Sequence, residues 1–208
     1  MGSRRPSKKS LTHDVKLSKA LSYVLRHGAS KEGLEIDSSG FVKVRELLRH
    51  AKFSCYTEQD IRNVVEHNEK QRFALKENSG ELLIRANQGH SIEVDDLELS
   101  EIDYEEIPVA IHGTYEKVIH LIKRDGLSKM SRRHIHMSVS LPEETNVVSG
   151  MRHTCDYLVY VNTQKASRDG LKFYKAANGV ILCSGDSDGL IHPKYFDKVA
   201  PRHSAVRR

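Results

Sequence analysis

Near residue 70 the hydrophobic rhythm of this chain changes, and the change divides the fold into two kinds of structure. Before it, apolar residues recur at helical spacing. After it, they alternate as strands do. Val15, Leu17, Leu21, Val24 and Leu25 predict a first helix over residues 14–27, with Gly28 standing where a left-handed C-cap belongs. A second short helix is predicted from Phe41 to His50. Thr57-Glu58-Gln59-Asp60 reads as a capping box that opens a third helix through Ile61, Val64 and Val65. Residues 72–76 and 81–86 then read as strands around Glu77-Asn78-Ser79-Gly80, a hairpin signal. Three helices followed by a β-hairpin is the order of a winged-helix module, which this reading places in residues 10–92.

From Val109 onward strands dominate: 109–112, then a helix over 115–124, then strands at 134–139, 157–162, 171–175 and 180–183. Ala177-Asn178-Gly179 turns the last two into a hairpin. The expected class is therefore α+β, with an N-terminal winged-helix lobe followed by a β-core lobe over residues 108–200. Between the lobes, residues 93–107 hold eight acidic side chains and no Lys or Arg, and read as a linker or lightly packed strap. Residues 1–9 and 201–208 read as disordered basic tails.

Charge points to the class of partner. Without those eight acidic residues, the chain's 33 Lys and Arg face 20 Asp and Glu, an excess of 13 positive charges. That balance suits a polyanion, because each phosphate contact releases condensed counterions. A solvated surface tuned for solubility is the plainer alternative. No apolar run approaches the ~20 residues needed to span a bilayer, and residues 1–9 lack the apolar stretch of a secretory signal, so a cytosolic or nuclear protein is expected. Cys55, Cys155 and Cys183 have neither disulfide-framework nor Cys-x-x-Cys spacing and read as ordinary thiols. There is no Gly-x-Gly-x-x-Gly after a strand and no Gly-Lys-Ser/Thr phosphate loop. Any nucleotide must be held by other means.

Five blocks carry the chemistry: Leu25-Arg26-His27-Gly28, Arg72-Phe73, Arg85-Ala86-Asn87-Gln88-Gly89-His90-Ser91, His112-Gly113-Thr114 and Ser131-Arg132-Arg133-His134-Ile135-His136. In this order, from about Leu17 to Phe196, the sequence resembles the NAD-dependent RNA (tRNA) 2′-phosphotransferase family. No single block is specific; their joint occurrence is. The resemblance implies a winged-helix RNA lobe and an ADP-ribosyltransferase-like NAD lobe. It also implies a two-step reaction without metal. The internal 2′-phosphate of spliced tRNA attacks C1″ of the nicotinamide ribose and expels nicotinamide; the 2″-hydroxyl of the resulting ADP-ribosylated RNA then attacks phosphorus. Free 2′-hydroxyl RNA and ADP-ribose 1″,2″-cyclic phosphate result. Arg26, His27, Arg72 and Arg132 carry over as the catalytic quartet. His112, Gly113, Thr114, Ser128, Gly150, Arg152 and His153 carry over as cofactor contacts, and Arg85, Asn87, Gln88 and His90 join Arg26, His27 and Arg72 as RNA contacts. The expected partner is tRNA with a splice-junction 2′-phosphate, the expected state a monomer, and no membrane or metal is involved.

Elementary chemistry is compatible with that assignment. A phosphate monoester with a second pKa near ~6 is already mostly a dianion at neutral pH and needs cations to hold it rather than a base to activate it. Arginine forks bind phosphate oxygens bidentately. Taken alone, Arg26 and His27 could merely cap a helix end, Arg72 could be a surface charge, Arg132 part of a basic loop and His112 a histidine satisfied by backbone. His112 at a strand end before a helix would also place a helix N-terminus near an anion. His134 and His136, alternating on a strand, raise a metal site, which lacks partner ligands in the sequence. Other readings are ADP-ribosylation of terminal RNA or DNA phosphates, a non-catalytic winged-helix nucleic-acid binder, and a metal-dependent nuclease.

Overall fold

The first helix starts earlier than its apolar spacing implies and ends in an unexpected way. In the computed structural model, α1 spans Lys8–Tyr23 and buries Leu17 and Leu21 completely. After Tyr23 the chain widens into one π-helical turn, Val24–Gly28, that carries Arg26 and His27. Gly28 is not the left-handed residue expected there. That role falls to Gly33 at φ 71°, which closes a 3₁₀ turn over Ser30–Glu32. What requires glycine at 28 is space, because a Cβ there would stand 2.8 Å from the Tyr23 ring. Residues 8–68, 70–92, 99–141, 151 and 154–202 are described, residues 8–12 by backbone only.

The chain divides into two compact units, residues 1–97 and 98–208. In the first, β1 (Val42–Lys43) precedes α2 (Val44–Arg49), so the second helix is shorter than predicted: Val42 and Lys43 leave it to pair with Ile84 and Leu83. α3 (Glu58–Glu66) opens at the predicted capping box, with the Asp60 amide donating to Thr57 Oγ1 at 3.2 Å and the Thr57 amide to Asp60 Oδ2 at 2.8 Å. β2 (Phe73–Asn78) and β3 (Glu81–Ala86) form a hairpin tighter than the predicted four-residue connection. Only Ser79 and Gly80, at φ 50° and 79°, make the turn, and two left-handed residues match the strand twist. The antiparallel sheet runs β1-β3-β2. Leu17, Leu21, Leu25, Leu47, Phe53, Ile61 and Ile84 are fully buried in its core. Each such side chain contributes about 1.5–3 kcal/mol against exposure.

The second unit is built on antiparallel strands. Its described elements are β4 (Leu99–Glu101), β5 (Val109–Thr114), α4 (Glu116–Asp125), β6 (Leu127–Ser128), β7 (Ile135–Met137), β8 (Tyr157–Asn162), α5 (Thr163–Arg168), β9 (Phe173–Ala176), β10 (Ile181–Cys183), β11 (Leu190–Ile191) and β12 (Phe196–Pro201). One sheet runs β4-β9-β10-β7, another β12-β8-β5, and β11 pairs with β6. A bridge between Ile111 and Ser138 stitches β5 to the residue after β7. This seam positions the site described below.

Part of the acidic stretch is not linker, because Leu99–Glu101 adds an edge strand to β9; residues 93–98 lie outside the described residues. Arg202, read from sequence as part of a basic tail, is buried: Pro201 still pairs with Tyr157, and the Arg202 amide donates to the Asp156 carbonyl at 2.8 Å. Only Ile135–Met137 of the predicted 134–139 strand is strand, so His134 lies before it. Cys155 and Cys183 are buried, and burial pushes the Cys183 thiol up to about 11. No described helix is long and apolar enough to cross a membrane. Several antiparallel sheets accompanied by a few helices are consistent with the expected α+β class.

Candidate functional site

Two constellations collect the sequence-predicted residues, one in each unit. In the first, the π turn is gripped by the segment that leaves β3. The Ser91 amide donates to the Arg26 carbonyl at 2.9 Å, and Ser91 Oγ lies 2.9 Å from His27 Nδ1. Gly89, at φ 85°, lies beneath the Arg26 side chain, where a Cβ would stand 3.4 Å from Arg26 Cδ and Nε. At the other end of the same segment, the Asn87 amide donates to the Arg72 carbonyl at 2.9 Å and Asn87 Nδ2 to the Gln71 carbonyl at 2.6 Å. Residues 87–91 thus hold Arg72 with one end and Arg26 and His27 with the other. The resemblance assigns this block to RNA contact; its backbone hydrogen bonds to the Arg72 and Arg26 carbonyls are long-range contacts that residue type does not signal.

Arg72 is a partly buried cation held beside this segment. Its Nη1 donates to Asn68 Oδ1 at 3.2 Å, and among the described residues it has no carboxylate partner. Burial pushes its pKa below the ordinary arginine range, a sign that the charge has lost water without gaining an opposite charge. Arg85 lies elsewhere. It is 6% exposed, with its guanidinium carbon 4.8 Å from the centre of the Phe41 ring. Gln88 and His90 are also buried, at 7% and 2%. Asn87 Oδ1 and Gln88 Oε1 are buried acceptors with no hydrogen-bond donor among the described residues.

The second constellation surrounds a cavity of about 250 Å³ at the β5–β7 seam, lined among others by His112, Gly113, Thr114, Arg132, His136 and Met151. His112 Nδ1–H donates to the His136 carbonyl at 2.8 Å, which fixes the ring and leaves Nε2 as the acceptor when the imidazole is neutral. Gly113 is required by crowding, since a Cβ would stand 2.3 Å from Met151 Cγ and 2.8 Å from Cys155 Sγ. Thr114 is buried at 6%. Arg202, which sequence reading missed, braces the adjoining loop by donating from Nη1 to the Cys155 carbonyl at 3.3 Å.

Other expected contacts do not converge on this cavity. β5 continues through Thr114, so His112 is not at the strand's end, and the first amide of α4 is already taken by Asp156 Oδ1 at 2.8 Å. That removes the first amide from the expected anion site. Ser128 is exposed outside the cavity, and its Oγ accepts from the Met130 amide at 3.0 Å, shaping the turn that delivers Arg132. Gly150, Arg152 and His153 lie outside the described residues. The cavity can thus receive an anion or a sugar on Arg132, a threonine hydroxyl and an oriented imidazole. It is lined by no carboxylate among the described residues.

The chain matches one family profile and several named proteins along most of its length. A sequence profile described as RNA 2′-phosphotransferase, Tpt1 / KptA family, matches residues 12–185. The chain is 50% identical over 192 residues to tRNA 2′-phosphotransferase 1 of Danio rerio, covering 90% of this chain and 85% of the relative. It is 45% identical over 199 residues to tRNA 2′-phosphotransferase 1 of Homo sapiens, covering 94% and 79%. With tRNA 2′-phosphotransferase of Saccharomyces cerevisiae it shares 38% identity over 181 residues, covering 82% and 79%.

Proposed function

Because this chain belongs to the RNA 2′-phosphotransferase family, we propose that it removes the splice-junction 2′-phosphate of tRNA and transfers it to NAD. The first unit, three helices and a three-stranded sheet, serves as a winged-helix RNA lobe; the second serves as an ADP-ribosyltransferase-like lobe that receives NAD. The observation that carries this reading is the clamp in the first unit. One short segment holds Arg26 and His27 on a π turn and, at its other end, an Arg72 whose charge is half-desolvated and without a carboxylate partner among the described residues.

A phosphate dianion bound there replaces water that Arg72 has already lost, so part of the desolvation cost is met in the fold before substrate arrives. Held by Arg26, His27 and Arg72, the phosphate oxygen attacks C1″ of the nicotinamide ribose. The bond from C1″ to the nicotinamide nitrogen breaks, and nicotinamide leaves neutral with the electron pair. Positioning supplies most of the help at this step. The 2″-hydroxyl then attacks phosphorus, the RNA 2′-oxygen departs and takes up a proton, and ADP-ribose 1″,2″-cyclic phosphate is released. Arg132 lines the cavity that accepts ribose and phosphate, and His112 Nε2 and Thr114 offer partners to sugar hydroxyls. At about 250 Å³ the cavity fits a ribose and its phosphate rather than a whole dinucleotide.

The test is nicotinamide release from NAD in the presence of an RNA bearing one internal 2′-phosphate and of the same RNA without it. Release is expected only with the first. Equal release from both, or reduction of NAD, overturns the proposal.

A further inference from the structure

Among the described residues four large hydrophobic side chains are exposed: Val15, Tyr23, Leu121 and Met130. Tyr23 alone is aromatic, and it immediately precedes the turn that carries Arg26 and His27 of the proposed phosphate clamp. It is 46% exposed, and its ring centre lies 6.5 Å from that of His27. The ring is held in place. Gly28 lies against one edge, so close that any Cβ would collide with it, and the π turn that carries Arg26 and His27 begins at the next residue. Lys52 places its ammonium 5.1 Å from the ring centre, tethered to Glu32 by an ion pair at the surface. An exposed pair of this kind costs little to move aside.

We propose that Tyr23 is a stacking platform for a nucleobase beside the 2′-phosphate, making it a specificity-determining residue for RNA. The inference rests on the proposed function for the position of the phosphate. A base stacked on the Tyr23 ring and a phosphate held at His27, whose ring centre is 6.5 Å away, would belong to one nucleotide or to neighbouring ones. Every base has a π-face, so the platform tolerates any sequence while demanding that a base be present. It thereby selects an internal phosphate, flanked by nucleotides, over an isolated phosphorylated ribose. Lys52, displaced from the ring, remains close enough to meet the strand's backbone phosphate.

The test is a cycle between enzyme and substrate using the full chain. Wild type, Tyr23→Ala, Tyr23→Leu, Tyr23→Phe and Tyr23→Trp are assayed with short 2′-phosphorylated RNAs. These are intact, or abasic either at the phosphorylated nucleotide or at its 3′ neighbour. Stacking predicts that Tyr23→Ala and Tyr23→Leu raise KM for intact RNA roughly 10- to 100-fold while KM for NAD and kcat hold, and that Phe and Trp retain wild-type KM. One abasic RNA should weaken wild type by a similar factor and leave Tyr23→Ala no worse. Leucine still covers Gly28, so it separates lost stacking from a loosened π turn. The proposal is overturned if the abasic and Tyr23→Ala penalties simply multiply, if kcat falls instead of KM rising, or if phenylalanine behaves like alanine. Equilibrium binding of the same RNAs runs in parallel. Should no RNA be turned over while the binding cycle still shows non-additivity, the proposed function fails and the stacking site stands.

Discussion

Gly89 shows how a residue without a side chain can govern one with a guanidinium. Its φ of 85° is a left-handed conformation that side chains avoid, and the Arg26 side chain lies across it. Gly89→Ala should cost roughly 1–2 kcal/mol through backbone strain and lower kcat/KM by more than the loss of folded protein explains. Thermal unfolding alongside kinetics on the folded fraction checks this, and unchanged kcat/KM at reduced stability would free Gly89 of any part in placing Arg26. His134 offers a test by pH. Burial, reinforced by Arg133 and Lys129, holds its pKa below the ordinary 6.5. A depressed histidine contributes stability that is complete above pH 6.5 and is lost as pH falls through the folded value, because the unfolded chain binds the proton first. Urea unfolding at about pH 5 and pH 7.5 should therefore show less stability at the lower pH, and His134→Gln should reduce the difference. At this scale the blocks around Arg26, Arg72, His112 and Arg132 were legible in sequence. Gly89, Arg202 and the carbonyl that orients His112 were not, because their roles lie in backbone geometry and long-range contacts rather than in residue type.

Elements were legible where chemistry is local. The capping box at Thr57 and Asp60 appears as read, since its hydrogen bonds join residues three apart. Thr57→Ala should lower stability by about 1 kcal/mol and leave kcat/KM unchanged, a control that separates loss of fold from loss of site. A fall in kcat/KM on the folded fraction would mean that α3 reaches the chemistry. The π turn was not legible. Its residues Val24–Gly28 continue the apolar spacing of α1, and the widening is stabilised by contacts with residues some 60 positions away, Ser91 above all. β1, β6 and β11 are two residues long and too short to show a period, whereas β12 fails to alternate and ends in Pro201. That proline is tolerated because β12 is an edge strand.

At the scale of the molecule, composition points to the polyanionic partner that the proposed function requires, and the order of elements anticipated an α+β chain. The acidic stretch shows the limit of that reading, since charge marks a segment as solvated without saying that Leu99–Glu101 pairs with β9. The two steps of the proposed reaction make different electrostatic demands. In the first, a dianion meets a cationic ribose and charge disperses; in the second, charge builds on the non-bridging oxygens of a diester and needs cations already in place. Arg72→Ala or Arg132→Ala should therefore slow the second step more, so that ADP-ribosylated RNA accumulates as a slower band on a denaturing gel. Equal loss of both steps, with no such band, would assign these arginines to binding or to the first step. Transfer of the phosphate itself is tested by following its phosphorus atom. RNA carrying a single ³²P-labelled internal 2′-phosphate is incubated with the chain and NAD, and the products are separated. All label leaving the RNA should migrate as a cyclic phosphate of ADP-ribose, with one nicotinamide released for each labelled phosphorus transferred. Label appearing as inorganic phosphate, or leaving the RNA without NAD, would contradict the account.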